Sequence, residues 1–358
     1  PHQKVILPDL KAGCSMADMA ERWDIEKAWE YLTESTQEKI IPITYINCSA
    51  DLKAFVGKNN GSICTSSNAR KIIEWAYTQG EKLLFFPDQH LGRNTCFEMG
   101  IKPDEMIIYD PNQWNGGVTP KQIQNAKVIL WYGYCSVHQG FNLSQIEHLR
   151  KTDPSRKIIV HPECAFDVVQ NADLNGSTSY ILETISKAEA GSKFAVGTEI
   201  NLVNRLARNY PHVDIISLSP YQCLCTTMYR VRPRWLLASL RAIESGCATN
   251  IIKVDDEIKK YSLIRYQKEL SGYEITEHAQ QAEDASAYAH LTEKDLLALI
   301  NALPDGYRLI FNLYVIEGYQ HDEIAALLGI QPGTSRSQLV KARLMLQKQI
   351  LALQKVAV

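Results

Sequence analysis

The sequence predicts an α/β protein: parallel three-layer α/β domains followed by an all-α helix-turn-helix domain. Three observations carry this. Short, continuously apolar runs alternate with helical stretches up to about residue 260, as parallel strands covered on both faces require. Several of these runs end in polar clusters. Beyond about residue 262 no strand pattern recurs, and the spacing becomes helical throughout.

The chain has 358 residues, roughly twice the ~150 expected of one domain. Apolar residues make up 45% and charged residues 22%, the balance of a folded globular protein. The net charge of −2 excludes a polycation, so any nucleic-acid contact must be local. No apolar run approaches the ~18 residues that span a bilayer; residues 309–316 come nearest and are interrupted by Asn312. No signal peptide is visible, and a first residue of Pro rather than Met points to a fragment or a processed chain.

The runs expected as buried strands are 5–7, 40–46, 83–86, 106–109, 128–131, 158–160, 194–196 and 214–218. In open parallel sheets ligands sit at the carboxyl ends of the strands. The polar clusters stand there: Pro87-Asp88, Cys135, His161-Pro162-Glu163 and Gly197-Thr198-Glu199. Residues 263–292 read as a linker; within 266–292 Glu269, Glu274, Glu277, Glu283 and Asp284 are set against Lys268. Three units follow: 1–262 as α/β domains, 263–292 as linker, and 293–358 as the helical domain.

In the helical domain Thr292 and Asp295 have capping-box spacing, and Leu296, Leu297, Leu299 and Ile300 follow. Leu309, Ile310, Leu313 and Ile316 form the next apolar face. Ile324, Ala325, Leu327 and Leu328 pack a further helix, Gly329 ends it and Ile330 plugs the core. Residues 333–337 open the last helix. From residue 331 onward Arg336, Lys341, Arg343, Lys348 and Lys355 meet no acidic residue. That local basic charge suits a phosphate backbone. The candidate DNA-contacting residues are Thr334, Ser335, Arg336, Ser337, Gln338, Lys341 and Arg343. A plain helical bundle with a solvated basic face is the alternative.

The wording of residues 303–308, 311–319, 321–325 and 333–339 resembles region four of extracytoplasmic-function sigma factors, strongly over 303–345. The resemblance implies promoter DNA and core RNA polymerase as partners. Region two of such factors is not in this sequence. The join is either a regulatory fusion or a merger of neighbouring reading frames.

All nine cysteines lie within the first 247 residues, and the six tryptophans precede residue 236. The odd count without a secretory signal suggests a reducing cytoplasm. No Cys-x-x-Cys pair occurs, which argues against a zinc ribbon. Cys14, Cys135 and Cys225 stand out by their polar, strand-end surroundings. Three such thiolates converging on one cluster would leave one iron open, and an open iron is a Lewis acid. Each cysteine taken alone also reads as a core residue. Cys48, Cys64, Cys96, Cys164, Cys223 and Cys247 are expected as buried thiols, with Cys223 an alternative to Cys225.

Residues 4–262 resemble the quinolinate synthase family. The segments that carry this are 8–19, 45–50, 64–69, 86–92, 135–138, 161–164, 176–179 and 197–199, with Cys225 and Met228. The resemblance implies three similar α/β domains about a pseudo-threefold axis, the first largely missing here. It implies a [4Fe-4S] cluster on Cys14, Cys135 and Cys225. It implies condensation of iminoaspartate with dihydroxyacetone phosphate to quinolinate in NAD biosynthesis, with L-aspartate oxidase supplying iminoaspartate. Glu163, His161 and Tyr45 match catalytic positions. Tyr45, Asn47, Ser66, His138 and His161 match substrate contacts, and Ser177 and Thr178 match a pair that holds carboxylate or phosphate. Read without the family, Tyr45 and Asn47 are strand-end residues, Ser66, Ser177 and Thr178 are helix caps, and His161-Pro162 is a turn. The family carries a further α/β segment ahead of residue 5, so this chain is expected to bind the cluster weakly and turn over slowly or not at all, and an N-terminally extended form to be active. The alternative function is a transcription regulator that uses the synthase-like part as a sensor.

Overall fold

A computed structural model describes residues 4–220, 224–262, 299, 302–311, 313–314 and 321–354. The chain forms two compact units: residues 11–229 with 253–269, and residues 1–10 with 230–252 and 270–358.

The first unit holds two parallel sheets. One has five strands, β1 (Ile40–Tyr45), β2 (Ser62–Cys64), β3 (Lys82–Phe86), β4 (Met106–Tyr109) and β5 (Val128–Trp131), in the order β2-β1-β3-β5-β4. The central strands β1, β3 and β5 are buried along their whole length. Their residues alternate between two cores, as the two-residue period of a strand demands. Ile41, Ile43, Leu83, Phe85, Val128 and Leu130 pack against α3 (Ala69–Tyr77) and α4 (Gln89–Glu98). Ile40, Leu84, Phe86, Ile129 and Trp131 pack against α1 (Arg22–Glu34) and α2 (Ala50–Lys58). The helix α5 (Pro120–Asn125) leads into β5; it opens with Pro at its first position and a Thr119–Gln122 capping box.

The second sheet has β6 (Lys157–Val160), β7 (Leu174–Asn175), β8 (Lys193–Gly197) and β9 (Asp214–Ser217), ordered β7-β6-β8-β9. Its helices are α6 (Leu143–Thr152), α7 (Phe166–Asn171), α8 (Thr178–Ser186) and α9 (Ile200–Asn209). Again two faces are apolar: Ile158, Val160 and Ala195 on one, Ile159, Phe194 and Val196 on the other. Phe97 of α4 meets Phe166 of α7 edge to face, with ring centroids 4.9 Å apart.

In the second unit, α10 (Pro233–Glu244) leaves Trp235, Leu236 and Ile243 exposed. The C-terminal helices are α11 (Asp305–Phe311), α12 (His321–Leu328) and α13 (Pro332–Gln354). Ile310, Leu313, Ile324 and Leu339 form their core, and Ile330 packs against it. Gly329 closes α12 with φ +66°, a conformation that costs glycine little and lets the Ile330 N–H reach the Ala325 carbonyl at 3.1 Å.

Several expectations are corrected. Residues 5–7 are not a buried strand. Ile6 makes a single antiparallel bridge to Ile251, and Val5 is 58% exposed, because Pro8 removes the next donor and, among the described residues, no second strand pairs with this segment. Residues 106–109 and 214–217 are edge strands, half-buried or half-exposed rather than covered on both faces. The strands β2 and β7 were not expected; they are too short to show a period. Leu309 and Leu327 point to solvent, at 45% and 60% exposure. Cys247 is exposed and Cys48 half-buried, whereas Cys64, Cys96 and Cys164 are buried as expected. Cys223, the linker 263–292, the Thr292–Asp295 cap, Leu296, Leu297, Ile300 and Ile316 lie outside the described residues. Among the described residues no helix is long and apolar enough to cross a membrane.

Candidate active site

The carboxyl ends of both sheets of the first unit converge on one buried polar cluster. Tyr45 closes β1, and the loop after β5 carries Cys135 and His138. The loop after β6 carries His161 and Glu163, and Thr198 follows β8. The β5 loop sits tightly against the loop after β3. The Gln89 N–H donates to the Gly133 carbonyl at 2.9 Å, and a Cβ on residue 133 would stand 2.2 Å from the Pro87 oxygen. Only glycine fits there.

Glu163 is the hub. Its Oε2 is 3.1 Å from His138 Nδ1, and its Oε1 is 3.7 Å from His161 Nδ1. The Tyr45 hydroxyl neighbours the same carboxylate. His138 Nε2 lies 3.2 Å from Thr198 Oγ1, and the two imidazoles stack with centroids 4.7 Å apart. All of these side chains are buried.

Burial acts on every charge here, and the neighbours decide the outcome. For Glu163, burial opposes ionisation, but the two imidazoles and the Tyr45 hydroxyl hold it well below the usual carboxylate range. For His138, burial disfavours the cation, and the Glu163 carboxylate with the Cys135 thiol outweighs it, so the pKa rises. For His161, burial wins, and the pKa falls to about 4. Burial and then Glu163 push the Tyr45 phenol up. The site at neutral pH is therefore a His138 imidazolium–Glu163 carboxylate pair beside a neutral His161 and a neutral Tyr45.

The sequence placed Asp88 in a strand-end polar cluster without giving it a role, and it did not single out Asn94. Asp88 is fully buried; its Oδ1 accepts the Leu91 N–H at 2.7 Å as cap of α4, and its Oδ2 has no partner. Burial and then Glu163 raise its pKa. Its position after the strand end at Phe86 was the available signal. Asn94 donates both amide hydrogens, to the Pro162 carbonyl at 2.8 Å and the Cys164 carbonyl at 2.9 Å. It thereby fixes the loop that carries Glu163. Nothing in the sequence singles it out, since its partners are carbonyls about 70 residues away.

Of the three candidate cluster cysteines, two come together. Cys14 and Cys135 pack on the same apolar core, and the hydroxyls of the adjacent Ser15 and Ser136 are 3.4 Å apart. Cys14 follows no strand, contrary to expectation; it opens a turn in which its carbonyl accepts the Asp18 N–H. Cys225 stands in the loop after β9, half-buried, its Sγ 3.2 Å from Thr227 Oγ1. All three thiols are free. Burial raises the Cys14 pKa, two backbone N–H groups lower it, and Cys135 and Glu163 raise it further. Thiols that repel each other's ionisation are the donor set that a cationic iron–sulfur group relieves.

The other candidates divide. Asn47 is exposed in the loop after β1, and Ser66 is half-buried between β2 and α3. Ser66 does not cap α3; Asn68 precedes that helix, and its Oδ1 accepts the Thr65 N–H at 2.6 Å. Ser177 caps α8 by accepting the Tyr180 N–H at 3.2 Å, and Thr178 is exposed as the first helical residue. A cleft of about 760 Å³ opens at the opposite, amino ends of the first sheet. Lys82 lines it, and its ammonium is already bound to Gln124 O, Ala126 O and Glu38, so the cleft lacks the chemistry of the polar cluster.

In the second unit Thr334, Arg336, Ser337 and Lys341 are exposed, and Gln338 is half-buried. Ser335 is not available for DNA contact: it is fully buried, and its Oγ lies 2.8 Å from His321 Nδ1. The Arg343 side chain lies outside the described residues.

The family model "Quinolinate synthetase A protein" matches residues 1–271. The chain belongs to that family. A quinolinate synthase of Geobacillus sp. (strain WCH70) is 53% identical over 263 residues, covering 72% of this chain and 70% of that protein. One from Anoxybacillus flavithermus is 49% identical over 273 residues, covering 75% and 73%. Within the family's stretch, the buried cluster around Glu163 is built wholly from residues of the matched region. The model "Sigma-70, region 4" matches residues 293–346, a second and separate similarity. The chain thus joins the fold of an enzyme family to a helical segment of DNA-binding type.

Proposed function

We propose that residues 1–262 condense iminoaspartate with dihydroxyacetone phosphate to quinolinate, releasing phosphate and two waters, in the cytoplasm as a step of NAD biosynthesis. The observation that carries this reading is the buried Tyr45–Glu163–His138–His161 constellation beside Cys135 in a chain of this family. Cys14, Cys135 and Cys225 would hold a [4Fe-4S] cluster, which when bound supplies a Lewis acid for dehydration.

The chain's own groups do the rest. The Glu163 carboxylate accepts a proton from the substrate carbon that must become nucleophilic, and the His138 imidazolium stabilises the carboxylate until then. The Tyr45 hydroxyl, beside Glu163, offers a proton donor too weak to ionise at neutral pH. His161, neutral and with Nδ1 accepting the Glu163 N–H at 3.4 Å, carries its proton on Nε2 and delivers it from there as hydroxyl groups leave. Burial of all four side chains keeps water from competing for these protons. The Ser177 hydroxyl and the N–H groups that open α8 suit a carboxylate or phosphate, with Asn47, Ser66 and Thr178 at the rim. L-Aspartate oxidase is the proposed source of iminoaspartate.

Residues 293–358 are proposed to contact promoter DNA and core RNA polymerase through the exposed Thr334, Arg336, Ser337 and Lys341. A regulator that reads the state of the synthase part is the second reading, supported by the Sigma-70, region 4 match.

Replacing Cys14, Cys135 or Cys225 by serine tests the first reading. Each variant, reconstituted anaerobically with iron and sulfide, is expected to lose most bound iron and sulfide and to make no quinolinate. Full retention of both by any of the three overturns the ligand set.

A further inference from the structure

Cys135, His138 and Glu163 place one sulfur, one nitrogen and one carboxylate oxygen within 4.8 Å of one another. We propose that in the chain without its cluster these three side chains bind a single divalent transition-metal ion, zinc above all. An ion at the centre of this triad would need bonds of about 2.0–2.3 Å, which small side-chain rotations supply. A thiolate, an imidazole and a carboxylate together match zinc rather than magnesium or calcium.

The supporting groups are already in place. Thr198 Oγ1 lies 3.2 Å from His138 Nε2 and leaves Nδ1 turned toward Glu163. The Tyr45 hydroxyl neighbours the Glu163 carboxylate, and Asn94 fixes the backbone on either side of Glu163. Such outer partners fix ligand orientation and raise affinity.

The site draws on one of the three proposed cluster cysteines and on neither Cys14 nor Cys225. Zinc held there would withhold Cys135 from cluster assembly, a consequence that rests on the proposed ligand set, although the zinc site itself does not.

The test is metal binding to the apo chain, kept reduced and anaerobic, with cobalt(II) as the spectroscopic probe and zinc as competitor. One equivalent of cobalt with a thiolate charge-transfer band is expected, displaced by zinc. Cys135→Ser should abolish the band. His138→Gln and Glu163→Gln should each weaken binding about tenfold or more, with circular dichroism confirming the fold. Cys14→Ser and Cys225→Ser should leave the band and affinity unchanged. Loss of the band in Cys14→Ser or Cys225→Ser, or unchanged affinity in both His138→Gln and Glu163→Gln, overturns the proposal. Zinc loaded beforehand should slow iron–sulfide incorporation into the wild-type chain. If the cobalt results hold and incorporation is not slowed, the cluster assignment of Cys135 fails and the zinc site stands.

Discussion

His138 Nδ1 and Glu163 Oε2 lie 3.1 Å apart, and both side chains are less than a tenth exposed. The pair joins one residue from the loop after β5 to one from the loop after β6, so it bridges the two sheets. Each partner supports the charge of the other against burial, and removing one leaves the other stranded.

Glu163→Gln keeps the shape and removes the proton acceptor. Quinolinate formation by the reconstituted enzyme is expected to fall about 10²–10⁴-fold in kcat, with a smaller change in KM. Steady-state assays under anaerobic conditions measure it, and a kcat within a factor of a few of wild type removes Glu163 from the proton transfer.

Asn94→Ala leaves the Pro162 and Cys164 carbonyls without their buried donor. A loss of about 2 kcal/mol in unfolding free energy is expected, read from denaturant titration. Asn94→Asp is expected to be worse than Ala, because a carboxylate would face two carbonyl oxygens.

Asp173 accepts both guanidinium nitrogens of Arg150, at 2.9 and 2.8 Å, and the Ile158 N–H at 2.7 Å. Burial opposes its charge, but Arg150 and that N–H hold its pKa below the usual 3.8. A depressed folded-state pKa means stability that is present above about pH 4 and is lost as pH falls through the folded value. At about a third exposure the contribution is modest, about 1 kcal/mol. Asp173→Asn should lower stability at pH 7 by that amount and flatten the decline on acidification. Thermal melts at pH 7 and near pH 3 compare the two proteins.

Arg336 is 62% exposed, with Asp322 at 4.0 Å. Arg336→Ala and Lys341→Ala are each expected to weaken promoter-DNA binding and to reduce the slope of log K against log salt by about 1. Ser335→Ala should lower the stability of the helical region by about 1 kcal/mol through loss of its bond to His321, with the salt slope unchanged. Fluorescence anisotropy over a salt series separates the two effects.

The sheets were legible because their central strands are apolar on both faces: residues 40–45, 83–86 and 128–131 leave no other reading. The edges were not, since β4 and β9 are covered on one side only and β2 and β7 are shorter than any period. Residues 5–7 misled for the converse reason, being apolar without a sheet to join. At the site, Cys135, His161 and Glu163 announce themselves by following strands. Asn94 does not, because what it does depends on a contact across the fold. Ser335 looked like a phosphate contact from its neighbours, yet the helical repeat places it with Leu339 and Ala342 on the buried face.

The buried polar groups are divided between two sheets, Tyr45 and His138 from one and His161, Glu163 and Thr198 from the other. A lone layer of this kind would own half a proton relay and no chemistry. The cluster therefore exists only while the two sheets stay packed, and whatever loosens their seam scatters all five groups at once.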